Sequence, residues 1–277
     1  MRTSAANACS PPPPRSSRRA KSLASEPRPL RLVHTSDVHL GAYSASPRGR
    51  EEPRNRRLEA GFEAVIDLAR GSEADLLLIA GDFFDHARIG PEVIAFAADQ
   101  INRFPGRTVL LPGNHDPIGR HGPHERHDLE GLAPRLRLVR NPEGEFLDFP
   151  ELDLAVWGRA ITVDVLERPL AEPPPRRDER AWNVAIAHGH SVAEDAQLER
   201  SLRITPDHLA ASAQWEYIAL GHWDVHSDVS HGGATAVYSG SPASLGDIGY
   251  GVAVVVDLDA SGVRWHAHSL DPAETSP

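Results

Sequence analysis

Five times in this chain a short apolar run gives way to a cluster of aspartate, asparagine and histidine. RLVHT (31–35) leads into SDVHL, with Asp37 and His39; LLLIA (76–80) into GDFFDH, with Asp82 and Asp85; TVLLP (108–112) into GNHDP, with Asn114, His115 and Asp116. NVAIA (183–187) runs into HGHS, with His188 and His190, and YIAL into GHWDVH, with His222, Asp224 and His226. These side chains hold cations through oxygen and imidazole nitrogen, and histidine also moves protons near neutral pH. A lone histidine at a strand end is more often a hydrogen-bonded structural residue than a ligand. Five such placements in succession point to one shared site.

Spacing adds to this. In Asp37-x-His39 an extended segment projects both side chains the same way, so both can grip one ion. Gly81, Gly113 and Gly221 permit tight turns where backbone meets the site. The only cysteine is Cys9, so neither a disulfide nor a thiolate zinc site can form within the chain. A set of oxygen and imidazole donors suits manganese, iron, zinc or nickel, whereas magnesium alone rarely recruits several histidines. Asp37, His39, Asp82, Asn114, His188, His222 and one residue from 224–226 are too many ligands for one ion. Two ions sharing a carboxylate, ~3.5–4 Å apart as in phosphoester cleavage, accommodate them.

The elements that must position these residues are legible as periodicity. RNRRLEAGFEAVIDLAR (54–70) places Leu58, Phe62, Val65, Ile66 and Ala69 at helical spacing, and PEVIAFAADQINRF (91–104) opens a second helix with Pro91 in its first turn. Strand, helix, strand, helix, strand implies a parallel sheet, with ligands at the carboxyl edge of its strands. The second half is richer in strands: 154–158, 183–187, 217–221, 236–240, 251–258 and 263–268. Residues 1–29, rich in Pro, Ser and Arg, read as a disordered leader, and the proline-rich stretch 167–180 as a surface loop between halves of one domain.

Composition sets outer bounds. The 277 residues, 40% hydrophobic and 25% charged, are enough to bury a full core. No apolar run approaches the roughly 20 residues of a membrane span, and the leader has no apolar signal region, so a soluble, cytoplasmic protein with no membrane partner is expected. Residues 1–31 hold seven Arg and Lys against one Glu, which leaves the body with 22 basic and 38 acidic residues, a balance of −16. That argues against a broad nucleic-acid-binding face while leaving a local basic groove open.

Taken together, D-x-H, G-D-x-x-D, G-N-H-D, H and G-H-x-(H) resemble the calcineurin-like metallophosphoesterase superfamily over roughly 30–270. SDVHLG, GNHDP, YIALGHW, the Arg-rich approach to the first helix and the late YSGSPASLGDIGYGVAVVVDL resemble its SbcD-type DNA-repair exonuclease branch. The resemblance implies an α/β fold: a two-sheet β-sandwich flanked by helices, over 30–277 without a separate capping domain. It implies a phosphodiester hydrolase, a DNA exonuclease or nuclease, using a metal-bridging hydroxide as nucleophile and two divalent ions, Mn²⁺ foremost with Fe, Zn or Ni as alternatives. Asp37, His39 and Asp82 would hold the first ion; Asp82, Asn114, His188 and His222 the second. His115 would face the phosphate as the catalytic group, with Asp116 orienting its ring, and Arg54, Arg57 and His190 are candidates for substrate binding. An SbcC-like ATPase and a homodimer are the partners in view.

Two departures stand out. The superfamily's closing motif is G-H-x-H, and this chain carries Asp224 at the second histidine, so either Asp224 or His226 completes the first ion's ligands. SbcD-type proteins also carry a C-terminal region that helps to hold DNA and dock the ATPase, whereas this sequence stops soon after the last core strand. A small-molecule phosphoesterase acting on cyclic nucleotides, dinucleotides or a lipid pyrophosphate, and a non-catalytic scaffold of the same fold, are therefore alternative readings. Asp85 reads as a structural partner, and HGPHERH (121–127) as a solvated loop.

Overall fold

The computed structural model describes residues 26–42, 51–162, 168–192, 202–243 and 251–270. The leader up to residue 25, Arg48, Arg50, the side chain of Arg54 and the 244–250 part of the late motif lie outside the described residues.

The first half runs β1 (Leu30–Thr35), α1 (Glu51–Gly71), β2 (Leu76–Ala80), α2 (Pro91–Arg103), β3 (Arg107–Leu111), the single turns α3 (Pro123–Arg126) and α4 (Leu129–Leu132), and β4 (Leu136–Leu138). There follow β5 (Glu145–Phe149), β6 (Leu154–Gly158), β7 (Trp182–His188), β8 (His190–Ser191), β9 (Arg203–Ile204), α5 (Pro206–Ala211), β10 (Tyr217–Gly221), β11 (Ser227–Asp228), β12 (Ala236–Tyr238), β13 (Val252–Asp259) and β14 (Gly262–Ser269).

Twelve of these strands form two six-stranded sheets, ordered β14-β13-β1-β2-β3-β4 and β11-β12-β10-β7-β6-β5. The alternation expected from strand and helix patterns holds for β1 to β4, which are parallel, but β13 and β14 extend that sheet antiparallel. β6, β7, β10 and β12 are parallel in the second sheet, with antiparallel β5 and β11 at its edges. Because strand side chains alternate, one face of each sheet is free to meet the other. Leu32, Leu76, Leu78, Val109, Val184, Ile186, Tyr217 and Ala219 fill the space between them.

The outer face of the first sheet carries Val33, Leu77, Ile79 and Leu110 beneath both long helices. Leu58, Phe62, Val65, Ile66 and Ala69 of α1 are all fully buried, the stripe their spacing predicts. Truncating a core phenylalanine such as Phe62 to alanine costs about 3–5 kcal/mol. On the other side, Ala185, Ala187, Ile218 and Leu220 pack under Leu209 and Trp215. Two sheets clamped between helical layers form the sandwich expected over this part of the chain. No helix among the described residues is long and apolar enough to cross a membrane.

Register is what delivers the motifs to one edge. Thr35 pairs with Ile79, Ala80 with Leu111, and Gly221 with His188, so each parallel strand ends at a similar level. Loop backbones then knit together: Asp37 N donates to Gly81 O at 3.0 Å, His39 N to Asp82 O at 3.0 Å, and Gly189 N to Gly221 O at 3.1 Å.

Candidate metal centre

The chain leaves β1, β2 and β10 in the left-handed region of backbone space at Asp37 (φ 53°), His39 (φ 53°), Asp82 (φ 50°) and His222 (φ 108°). Aspartate and histidine tolerate such dihedrals better than most residues, at about 1–3 kcal/mol each where surrounding structure enforces them. Asp37-x-His39 is therefore not the extended segment expected from its spacing. Gly81 (φ 93°) is the case where a side chain is excluded outright, since a Cβ there would meet the His188 ring. A Cβ on Gly113 would likewise meet the Asp82 carboxylate.

His188 Nδ1 donates to Ala80 O at 2.9 Å, which leaves the Nε2 lone pair turned toward Asp82 Oδ2 at 3.3 Å and Asn114 Oδ1 at 3.1 Å. His222 Nδ1 stands 2.9 Å from the same Asn114 oxygen and 3.2 Å from His188 Nε2. Four electron-pair donors thus face one another, those of Asp82 and His188 buried and that of Asn114 on an exposed residue. Such an approach is favourable only around a proton or a cation.

Proton affinities carry the same message. Burial alone would lower the His188 pKa, yet the charges of Asp82 and Asp37 and the Asp82 hydrogen bond raise it to about 9. Asp37 is pushed up to about 6 by burial, with the Asp82 charge adding to the rise. Burial beside His188 and His190 lowers His222 to about 3, so that ring stays neutral and keeps a lone pair to give. The two buried carboxylates draw positive charge, and a divalent ion supplies it.

A second donor group adjoins the first. Asp37, His39 and Asp224 each bring a ligand atom within 4.8 Å of the others, and His39 Nε2 is 4.0 Å from Asp82 Oδ2. Asp82 is therefore the carboxylate that faces both groups. Its Oδ1 accepts from His115 N at 2.8 Å, and Asp37 Oδ2 accepts from His222 N at 2.9 Å. The donor chemistry of both groups, carboxylate and amide oxygens with imidazole nitrogens and no sulfur, fits divalent transition ions.

Residues 30–239 match the calcineurin-like phosphoesterase family. The chain belongs to that family. Membership makes it a metal-dependent phosphoesterase, a hydrolase of phosphoric ester bonds. Among curated relatives it is 28% identical over 236 residues to the DNA double-strand break repair protein Mre11 of Methanopyrus kandleri, covering 78% of this chain and 49% of that protein. It is 25% identical over 258 residues to the uncharacterized metallophosphoesterase YhaO of Bacillus subtilis, covering 87% of this chain and 61% of that protein. The chain thus spans about half to three-fifths of the length of these relatives. The crystal structure of TT1561 of Thermus thermophilus shares its fold, with a TM-score of 0.55 at 12% identity over 87% of this chain and 99% of that one.

In this phosphoesterase the expected ligand residues lie together, and two supporting assignments change. Asp116 does not orient His115. It is fully buried, accepting from Phe84 N at 3.1 Å and Gly113 N at 2.8 Å and pairing with His124 Nε2 at 3.1 Å. His115 Nδ1 donates instead to the Asp85 carbonyl at 2.8 Å, while its ring is exposed. Asp85 also places Oδ1 3.0 Å from His39 Nδ1, and His39, Asp85 and His115 form a third group whose ligand atoms lie within 4.8 Å of one another. His190 Nε2 lies 2.9 Å from His222 Nε2, which ties this residue to a ligand ring.

His226 Nδ1 donates to Tyr238 O at 2.9 Å and its ring packs on Trp265, away from the group that Asp224 joins. Arg57 is exposed on α1, next to Leu58, which packs on Ala42 and Ala243. HGPHERH is only partly a solvated loop: His121 is exposed, His127 Nε2 reaches Ile89 O at 3.2 Å, and His124 is buried against Asp116. His124 was not among the candidate site residues. Pro123 at the start of a one-turn helix is the only local signal for its placement.

Proposed function

We propose that this phosphoesterase is a binuclear phosphodiester hydrolase acting on DNA, a nuclease of SbcD type working with Mn²⁺. One observation carries the reading: Asp82 stands between two donor groups, Asp37–His39–Asp224 and Asn114–His188–His222, with the exposed His115 beside both. Relatives named for DNA double-strand break repair support the choice of DNA. An SbcC-like ATPase partner, a homodimer and a cytoplasmic setting belong to the same reading.

Asp37, His39, Asp82 and Asp224 would hold one ion, and Asp82, Asn114, His188 and His222 the other. Ions bound there neutralise non-bridging phosphate oxygens and lower the pKa of bound water, which is the chemistry in-line phosphoester cleavage requires. The protein's own work is placement. Ala80 O and Asp85 hold the His188 and His39 rings so that their Nε2 atoms face inward. The Asp85 carbonyl holds His115 Nδ1–H, which leaves Nε2 free to face a phosphate oxygen or the leaving oxygen, to which it donates when the ring carries its second proton.

The decisive test is an activity panel with Mn²⁺ on single- and double-stranded DNA, cyclic nucleotides and bis-p-nitrophenyl phosphate, with His115→Ala alongside. Metal-dependent DNA cleavage that His115→Ala lowers by about 100-fold or more is the expected outcome. Cyclic nucleotide turnover with DNA untouched would replace the nuclease with a small-molecule esterase. Silence on DNA in the presence of Mn²⁺ would overturn the nuclease reading.

A further inference from the structure

Among the described residues three large apolar side chains are exposed, and two of them, Trp223 at 44% and Val225 at 67%, flank Asp224 in GHWDVH. Trp223 is therefore one peptide bond from His222 and one from Asp224, residues of the two donor groups. An indole on a surface this polar is not placed by core packing. Its ring lies 6.0 Å from that of Tyr238 at 47°, and Tyr238 is itself buried, its hydroxyl donating to Gly189 O at 2.6 Å. One side of the indole is braced from within, and the rest faces solvent beside the metal centre.

We infer that Trp223, with Val225 as its apolar border, is the platform on which a nucleobase next to the scissile phosphate stacks. The inference rests on the proposed nuclease reading and names the part of the substrate that this site recognises. Charge supports it. A nucleic acid is usually held first by phosphate contacts to Lys and Arg, yet beyond residue 31 this chain has 22 basic against 38 acidic residues. Exposed at the centre among the described residues are Asn114, His115 and Asp224, none of them Lys or Arg, so bound ions would hold the scissile phosphate while its neighbours meet no cationic side chain there. Where electrostatic attraction is scarce, stacking is the remaining strong and sequence-tolerant contact, worth about 1–3 kcal/mol per base. A flat ring braced from one side and one residue from His222 and Asp224 meets that need without selecting a base.

The test uses single-stranded oligonucleotides that are identical except for one abasic (tetrahydrofuran) residue placed at successive positions, cleaved with Mn²⁺ under kcat/KM conditions. Wild-type protein should cleave the phosphate beside the base roughly 5- to 100-fold more efficiently than the same phosphate beside the abasic residue. Most of the difference should lie in KM. In Trp223→Ala that ratio should collapse toward one, while Trp223→Phe, which keeps a ring against Tyr238, should retain most of it. Anisotropy of the labelled oligonucleotides in EDTA should show the same loss of discrimination in binding, independent of turnover.

DNA cleavage with no base-over-abasic preference, or a preference that survives Trp223→Ala, overturns the platform and leaves the nuclease standing. The indole would then be a contact for another protein. Wild-type protein that leaves both oligonucleotides intact while hydrolysing another phosphodiester overturns the nuclease reading and the platform with it.

Discussion

The two donor groups share Asp82 but are built differently. In the corner made by Asp82, Asn114, His188 and His222, the buried His188 is pinned at its second nitrogen by a carbonyl of β2, and His222 is pinned by His190. Strand pairing between β7 and β10 sets His188 opposite Gly221, so ligand spacing there is inherited from the sheet. In the corner made by Asp37, His39 and Asp224, the first two are buried, but Asp224 is exposed on a loop between β10 and β11. The closed corner is shaped by the fold before any ion arrives. Both corners reach solvent, the first through the exposed Asn114 and the second, open corner through Asp224, but only Asp224 is carried by a loop rather than by residues that follow directly from a parallel strand.

The comparison breaks first at the shared carboxylate. Asp82→Asn and His188→Ala should each abolish metal-dependent turnover, with a loss well beyond the 10–100-fold that removal of a ligand's supporting partner costs. Inductively coupled plasma analysis of bound metal should fall in parallel. If either variant kept both its metal and its rate, the closed corner would not be the organising element.

A smaller loss is expected at the open corner. Asp224→Ala should weaken metal binding there by about 10- to 100-fold and lower activity at limiting Mn²⁺, with partial recovery when the ion is in excess. His226→Ala should stay within about threefold, since that ring is committed to Tyr238 O and Trp265. Calorimetric titration of both variants with Mn²⁺ decides the point: equal weakening would mean that Asp224 is not the ligand that distinguishes them.

The pair beneath both corners comes next. Asp116 holds Phe84 N and Gly113 N, and so fastens the loop that carries Asp82 and Asp85 to the loop that carries Asn114 and His115. His124 is the buried partner of that carboxylate. His124→Ala should lower the melting temperature by a few degrees, as loss of a buried hydrogen-bonded partner does. It should lower kcat by about tenfold through displacement of the Asp85 carbonyl that holds His115. Unchanged kcat in a destabilised variant would confine the pair to stability.

How much of this was legible in the sequence follows from the same division. That the candidate ligand residues meet was readable because each follows an apolar strand, and parallel strands carry their ends to one edge. The helical stripe of α1 was readable because its burial is periodic. What could not be read were contacts made through backbone carbonyls and through residues distant in the chain: Ala80 O on His188, Asp85 O on His115, and His124 on Asp116. A histidine motif names a ring but not which nitrogen faces the ion. β4 went unread because three residues hold too little pattern, and β5, EFLDF, because acidic residues interrupt the apolar run that marked the strands that were read.

His190 gives the most discriminating effect. The sequence offered it as a substrate contact, and the structure puts its Nε2 2.9 Å from His222 Nε2, with the rings 3.9 Å apart. For His222 to offer the Nδ1 lone pair toward Asn114 and His188, its proton must sit on Nε2, and His190 is the acceptor that keeps it there. His190→Ala should therefore weaken metal binding at the closed corner by about tenfold, whereas His190→Gln, which retains an acceptor, should recover most of it. A substrate contact would behave in the opposite way, raising KM with metal affinity intact. Metal titration and KM for the two variants together separate the roles, because only support of the closed corner makes the glutamine rescue appear in metal affinity.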